Sequence, residues 1–475
     1  MNPQNRLEIQ VESSIHQKDL KNIFNQILRD LPLKYHIEFS NGNRNHVTAK
    51  FQGKVFYSAK FSPKAFLDAF WQCITQEARN QLHIDEIPSQ IKRVCFDASA
   101  NMMGSLMGIN PIMPGLSDYI HISNIQIRNF ILLSQSRHMC ELLFDLGKIA
   151  GKYGGFIGFF EEPHLKARSV TVWEHFQTAL RGLVDFYSRT SDIGLNITKK
   201  AVLYGKSSSV AILRLFELPA ATGVPDIGIP TCYLDAGLIA GIVETFIGTP
   251  VVVNEICCWG LGNNYCDFRI RLDENPQSTE ILSRSTHNCW EFHAQKVLHS
   301  LIRSEHLSIR KGRKIRYGIS DYVHFSLFQL FFSTLASIEN YGPFLLVSAG
   351  RKHGRSVATL YGKNGALSLD KAFETTKKLS AKQKLLSGGH YEYIELLKDK
   401  IILYDRKTQL KKETSQPQPL YFYEVGFFSG LLSELTKTDL WLVMDINTRN
   451  NGYCELEVEH SSPSPSKATR SFATE

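Results

Sequence analysis

The stretch that decides the fold begins Cys232-Tyr-Leu-Asp-Ala-Gly237-Leu-Ile-Ala-Gly241. It continues Gly248-Thr-Pro-Val-Val-Val-Asn254-Glu255-Ile-Cys257-Cys258-Trp-Gly-Leu-Gly-Asn-Asn-Tyr-Cys266-Asp-Phe268. Its first half predicts a helix with Gly237 and Gly241 one turn apart on a single face. Glycines weaken a helix unless a neighbour needs the room, so this pair predicts a close backbone contact. The second half predicts a hairpin, Val251–Asn254 and Tyr265–Leu272, folded back across Gly260-Leu-Gly262-Asn-Asn. Four of its residues can bind a metal: Cys232, Glu255, Cys258 and Cys266. Between them lie 22, two and seven residues. Soft thiolates with one carboxylate suit Zn2+ better than Mg2+ or Ca2+. Three thiolates and a carboxylate leave no open position, so the zinc would be structural and not hydrolytic. Cys257 leaves open which member of the Cys257-Cys258 pair is the ligand, and buried free thiols are the alternative to a metal.

Outward from this stretch the chain repeats itself. Ser117-Asp118-Tyr119-Ile-His121-Ile-Ser123 returns as Ser320-Asp321-Tyr322-Val-His324-Phe-Ser326. Gly147-Lys-Ile-Ala-Gly151 returns as Gly350-Arg-Lys-His-Gly354, and Asp235-Ala-Gly237-Leu-Ile-Ala-Gly241 as Glu424-Val-Gly426-Phe-Phe-Ser-Gly430. Three landmarks in one order predict an internal duplication. The second copy lacks the metal set. Tyr421 stands where Cys232 would be, Met444 or Asp445 where Glu255 would be, and only Cys454 survives near the last position. His121 and His324 occupy matched places, which predicts a shared structural hydrogen bond first and a ligand contact by His121 second.

Before the repeats, residues 6–84 alternate and turn like a small α/β module. Strands are expected at 7–11, 34–39, 47–51 and 55–59, with helices at 16–31 and from Pro63 to about Leu82. The expected divisions are 1–90 for this module, 110–272 and 317–460 for the copies, 273–316 for a helical and basic linker, and 461–475 for a disordered tail. A loop is expected over Lys407–Pro419.

Composition sets outer bounds. The 475 residues exceed one ordinary core, and 43% hydrophobic with 21% charged residues is a soluble globular balance. No apolar run is long enough for a membrane helix and the first residues are too polar for a signal peptide, which predicts a cytoplasmic location. Nine scattered cysteines favour metal and free thiols over a disulfide framework. The net charge of +8 is modest. The basic run Arg310-Lys-Gly-Arg-Lys314-Ile-Arg316 reads first as a solvated linker and second as a nucleic-acid or membrane contact. Gly205-Lys206-Ser207 lacks the earlier glycine of a phosphate loop, and Gly260-x-Gly262-x-x-Tyr265 lacks the third glycine of a dinucleotide fingerprint. No catalytic constellation emerges, so the reading leans away from an enzyme.

The Gly-x-x-x-Gly helix, strand, Glu-x-x-Cys, glycine turn and Cys-x-Phe together resemble the vinyl-4-reductase domain. That is the hydrocarbon-binding domain in the sensor region of phenol- and xylene-responsive activators. The resemblance covers roughly 115–272, and the four positions match that family's zinc ligands. It implies an α+β fold in two tandem copies after the α/β module, each with an antiparallel sheet and packed helices. It also implies a non-enzymatic sensor of a small hydrophobic or aromatic molecule, with output through a protein partner and a homodimer as the expected assembly. The family's aromatic hook before the first cysteine is absent; Ala211 to Glu217 stands there. Candidate pocket residues are therefore Trp173, His175, Phe176, Phe186, Tyr187 and Phe216, with His121. Filling a core is the competing role for these aromatics. Two other functions follow from the resemblance: a tetrapyrrole carrier or assembly factor in chlorophyll or bacteriochlorophyll biogenesis, and a protein-interaction adaptor.

Overall fold

The computed structural model describes residues 6–12, 17–29, 31–40, 46–82, 87–106, 119–154, 172–205, 209–272, 290–362, 365–383, 391–396, 400–405, 421–445 and 453–460. The disordered tail, the loop at 407–419, the Gly205-Lys206-Ser207 turn and the first part of the linker fall wholly or partly outside them. The described residues form two compact units, the first from 1–80, 338–379 and 392–475 and the second from 81–337 and 380–391.

The N-terminal part of the first unit contains β1 (Arg6–Glu12), α1 (Gln17–Leu28), β2 (Lys34–Ser40), β3 (His46–Phe51), β4 (Lys54–Lys60) and α2 (Pro63–Leu82). Strict alternation in β1 buries Leu7, Ile9 and Val11 and exposes the residues between them. The sheet order is β2-β1-β3-β4, with β1 parallel to β2 across the α1 connection and antiparallel to β3. Phe66, Phe70 and Ile74 of α2 are fully buried. These elements follow the sequence expectation closely, because period-2 and period-3.6 patterns are clean there.

The second unit contains α3 (Ser89–Leu106), β5 (Tyr119–His121), α4 (Ile122–Leu133), α5 (Met139–Tyr153) and α6 (Val172–Arg189). It continues with β6 (Lys200–Tyr204), β7 (Val210–Phe216), α7 (Tyr233–Ile247), β8 (Val251–Cys257) and β9 (Cys266–Leu272). It ends with α8 (Trp290–Lys311), β10 (Tyr322–His324) and α9 (Phe325–Ala336). Its main sheet is antiparallel in the order β6-β7-β9-β8. Helices α5 and α7 cross backbone to backbone. A Cβ on Gly147 would collide with the Leu234 carbonyl, and one on Gly241 with the Lys148 carbonyl. Lys148 and Glu244 close this crossing with an ion pair of 2.7 Å.

The repeated Tyr-x-His segments meet directly. β5 and β10 pair antiparallel, His121 opposite Tyr322 and Tyr119 opposite His324. The rings stack edge to face at 5.2 and 5.6 Å. His121 uses both ring nitrogens inside the fold, Nδ1 to the Ser123 hydroxyl and Nε2 to the Ser308 hydroxyl at 2.8 Å. Burial, first, pushes its pKa down to about 4. Because β10 pairs with β5, and α9 packs on α3 and α5, the compact units divide the chain at 337/338 and not at the expected start of the second copy.

The rest of the first unit comprises α10 (Tyr341–Tyr361), α11 (Leu369–Gln383), β11 (Tyr391–Leu396), β12 (Lys400–Asp405), α12 (Tyr421–Thr436), β13 (Leu440–Asp445) and β14 (Tyr453–His460). Its sheet order is β11-β12-β14-β13. Gly350 and Gly354 of α10 and Gly426 and Gly430 of α12 leave the same kind of room at a second helix crossing.

The basic run is not uniformly solvated, which corrects the expectation. Lys311, Arg313 and Lys314 are exposed, but Arg316 is fully buried. Its Nη1 donates to the carbonyls of Asn196 (2.8 Å) and Glu217 (3.2 Å), and its Nη2 to that of Ser320. The Asp321 carboxylate accepts from the backbone N–H of Ile315 (2.8 Å) and Arg316 (2.7 Å). An arginine followed by a turn that can cap its own backbone has been drawn into the core as a pin. Two outcomes follow. Arg316→Ala should lower stability by about 2 kcal/mol or more through stranded carbonyls. Arg313→Ala should stay within about 0.5 kcal/mol, and equal losses in denaturant melts would contradict the burial argument. Gly241→Ala should lose about 1–3 kcal/mol by forcing α5 from α7, whereas a neutral change would mean the crossing yields easily.

Candidate metal centre

Cys232 sits at the N-cap of α7, Glu255 and Cys258 at the end of β8, and Cys266 opens β9. All four are buried, and one ligand atom from each lies within 4.8 Å of all the others. The Sγ–Sγ separations are 4.0 Å for Cys232–Cys258, 3.6 Å for Cys232–Cys266 and 4.0 Å for Cys266–Cys258. A disulfide needs about 2.05 Å, so none is formed here. Sulfurs at about 2.3 Å from a central zinc stand about 3.8 Å apart in a tetrahedron, and the observed separations bracket that value.

Local structure explains which cysteine joins. The β8–β9 ladder pairs Glu255 with Phe268 and then Cys257 with Asp267, so Ile256 is the extra residue of a bulge. The bulge puts Cys257 across from Asp267, on the face opposite the cluster. Cys258, extended at φ −158 and ψ 159, then enters the cluster. Its carbonyl accepts from the N–H of Leu261 and Asn263, both at 3.0 Å, closing the turn. Gly262 takes φ +80 there, and Gly260 leaves no room for a Cβ beside the Ile229 carbonyl.

The surroundings stabilise ionised ligands without neutralising them. One Glu255 oxygen, Oε2, accepts from the backbone N–H of Cys232 at 2.9 Å. The other, Oε1, is buried and has no hydrogen-bond partner among the described residues. Thr231 Oγ1 lies 3.2 Å from the Cys258 sulfur. Burial holds the Cys232 and Cys266 thiols and the Glu255 carboxyl well above their ordinary pKa ranges. At Cys258 burial acts the same way, but contacts from Cys232, Cys266 and Thr231 reverse it and push that thiol down. Four such acids cannot ionise together at one buried point without a cation. The donor set, its spacing and the orphaned Oε1 all fit a tetrahedral metal ion.

Side chains outside the sequence-predicted set hold the cluster in place. Asn129 of α4 donates to the Thr231 carbonyl, and Gln126 to those of Pro219 and Thr222, each at 2.8 Å. These amides fix the loop that delivers Thr231 and Cys232. Asp235, one turn into α7, is buried, and that burial raises its pKa to about 7. The sequence signal was a polar residue on an otherwise apolar helix face, in α4 as in α7.

The predicted pocket aromatics are not brought together at one place. Phe176, Phe186 and Tyr187 are buried on α6, with Phe186 and Tyr187 edge to face at 5.2 Å, while His175 is half-buried. Tyr187 lies within electrostatic reach of Asp235 and Cys232, against α7. Phe216 points the other way, because β7 buries Ala211, Leu213 and Leu215 and turns Arg214 and Phe216 to its outer face. His121 is engaged at the β5–β10 pair. Trp173 lies in the first turn of α6, and its side chain is outside the described residues.

The vinyl-4-reductase domain family matches residues 212–272, from within β7 to the end of β9. The chain is also similar to three uncharacterized proteins of Methanocaldococcus jannaschii. One is 36% identical over 73 residues, 15% of this chain and 45% of the relative. A second is 49% identical over 43 residues, 9% and 24%, and a third 35% over 63 residues, 13% and 36%. The chain spans less than half the length of each of these relatives. The matched segment contains Glu255, Cys258 and Cys266.

The bulge yields a sharp test. Cys257→Ser should keep the bound metal of purified protein, and Cys258→Ser should lose it. Metal retained in Cys258→Ser would mean that the neighbouring thiol can serve.

Proposed function

We propose that residues 119–272 are a regulatory domain of the vinyl-4-reductase type that binds a small molecule, with a zinc ion as its structural staple. The observation that carries this is the closed donor set. Cys232, Glu255, Cys258 and Cys266 would fill a zinc's coordination and leave no site for water or substrate. The ion's chemistry would be to tie the β8–β9 hairpin to the start of α7. Output through a protein partner is part of the proposal, since the chain's charge and motifs favour no other route.

The second part of the proposal is a metal-free copy over 322–460. Its support is register. The orders β6-β7-β9-β8 and β11-β12-β14-β13 correspond strand for strand. Cys266 faces Leu215 on β7, and Cys454 faces Leu403 on β12. Two residues on, Phe268 faces Glu255, and Leu456 faces Met444. Met444 therefore stands at the carboxylate's position, and a thioether replaces the charged ligand. Pairing of β5 with β10 would then join the opening strands of the two copies within one chain, where the sequence had suggested a dimer.

Metal analysis of the purified chain should give one zinc per molecule. Chelation should raise amide exchange over 232–272 and leave 421–460 protected. A folded chain without metal, or loss of protection in 421–460 instead, would overturn the proposal.

A further inference from the structure

On the outer side of the metal hairpin lies a cleft of about 430 Å³ lined by Lys199, Lys200, Phe216, Glu217, Trp259, Asn264 and Tyr317. That volume is in the range of small-molecule sites. Phe216, Trp259 and Tyr317 supply three aromatic walls, and Lys199 and Lys200 two ammonium groups. The Glu217 carboxylate accepts from the backbone N–H of Gly318 at 3.1 and 2.9 Å. That oxygen pair is thus already engaged, and the charge left to meet a ligand is positive.

Tyr317 is the informative residue. It is 80% exposed, yet the residue before it is the fully buried Arg316 and the residue after it is tied to Glu217. Arg316 itself grips the carbonyl of Glu217, so one pin orders both sides of the cleft. Lys199 lies across Gly318, where any Cβ would collide with its methylenes. The fold thus fixes a backbone on both sides of an aromatic ring and leaves the ring unpacked beside two lysines. Core packing gives no reason for this, since an exposed ring contributes no burial. A planar ligand between the rings would cover it.

We propose that this cleft binds a planar aromatic anion, an aromatic carboxylate being the simplest member of the class. The inference rests on the ligand-binding reading above and adds to it the place and the charge of the ligand. The rings would stack on the ligand and the lysines would meet its acid group. Trp259, directly after Cys258, joins the cleft to the metal cluster, so ligand contact and hairpin geometry are linked through one peptide bond.

The test uses the full chain with its metal content measured before and after titration. Calorimetry with 2-naphthoate should show one site per chain, and 2-naphthol, equal in shape but neutral, should bind at least about 10-fold more weakly. Lys199→Gln with Lys200→Gln should weaken 2-naphthoate by about 10-fold, and Tyr317→Ala by roughly 2- to 10-fold, the worth of one aromatic contact. Lys311→Gln with Lys314→Gln removes the same charge elsewhere and should leave binding unchanged. Absent binding at millimolar 2-naphthoate, equal binding of 2-naphthol, or equal weakening by the control pair would overturn the proposal. Intact metal content in those cases separates this failure from failure of the metal reading.

Discussion

Three thiols and a carboxyl share one buried point, and much of the second unit is arranged to hold them there. Their mutual repulsion when ionised, in a site closed to water, is the largest electrostatic problem in the described structure. The elements that meet it come from three places: the N-terminus of α7, the bulged end of β8 and the first residue of β9. Glu255 ties two of them, since its Oε2 accepts from the Cys232 amide while Oε1 is left for the shared centre. A cation would turn this frustrated cluster into a cross-link, which is the physical basis for reading it as a staple.

The same region depends on helices that touch through their backbones. The glycines of α5 and α7 let α7 lie low enough for Cys232 to reach the hairpin, and amides of α4 steady the loop before it. The cleft on the outer side uses the other end of this arrangement. Arg316 pins Glu217 and orders Tyr317, and Trp259 follows a ligand cysteine directly. Metal, hairpin and cleft are thus neighbours in sequence as well as in space.

Much of this was legible in the residues. Soft donors at turns named the four candidate ligands, and glycines one turn apart named the helix crossing. Alternation in β1 named the N-terminal sheet. What the residues did not show has physical reasons. A bulge at Ile256 adds a residue to one strand, which simple alternation cannot reveal, and so Cys257 and Cys258 looked equivalent. The charge run ending at Arg316 hid a pin, because its partners are backbone carbonyls that carry no sequence signal. Phe216 was grouped with the α6 aromatics, although the period of β7 turns it to the opposite face. The antiparallel pairing of β5 with β10 rests on three residues each, too few for a pattern, and it draws the start of the second repeat into the second unit.

The central claim, that the buried cluster is a closed metal staple, is tested most directly by X-ray absorption at the zinc edge of the purified chain. The account predicts three sulfur neighbours at about 2.3 Å and one oxygen at about 2.0–2.2 Å, with no bound water. A zinc shell dominated by oxygen or nitrogen, or a chain that carries no metal at all, would contradict it.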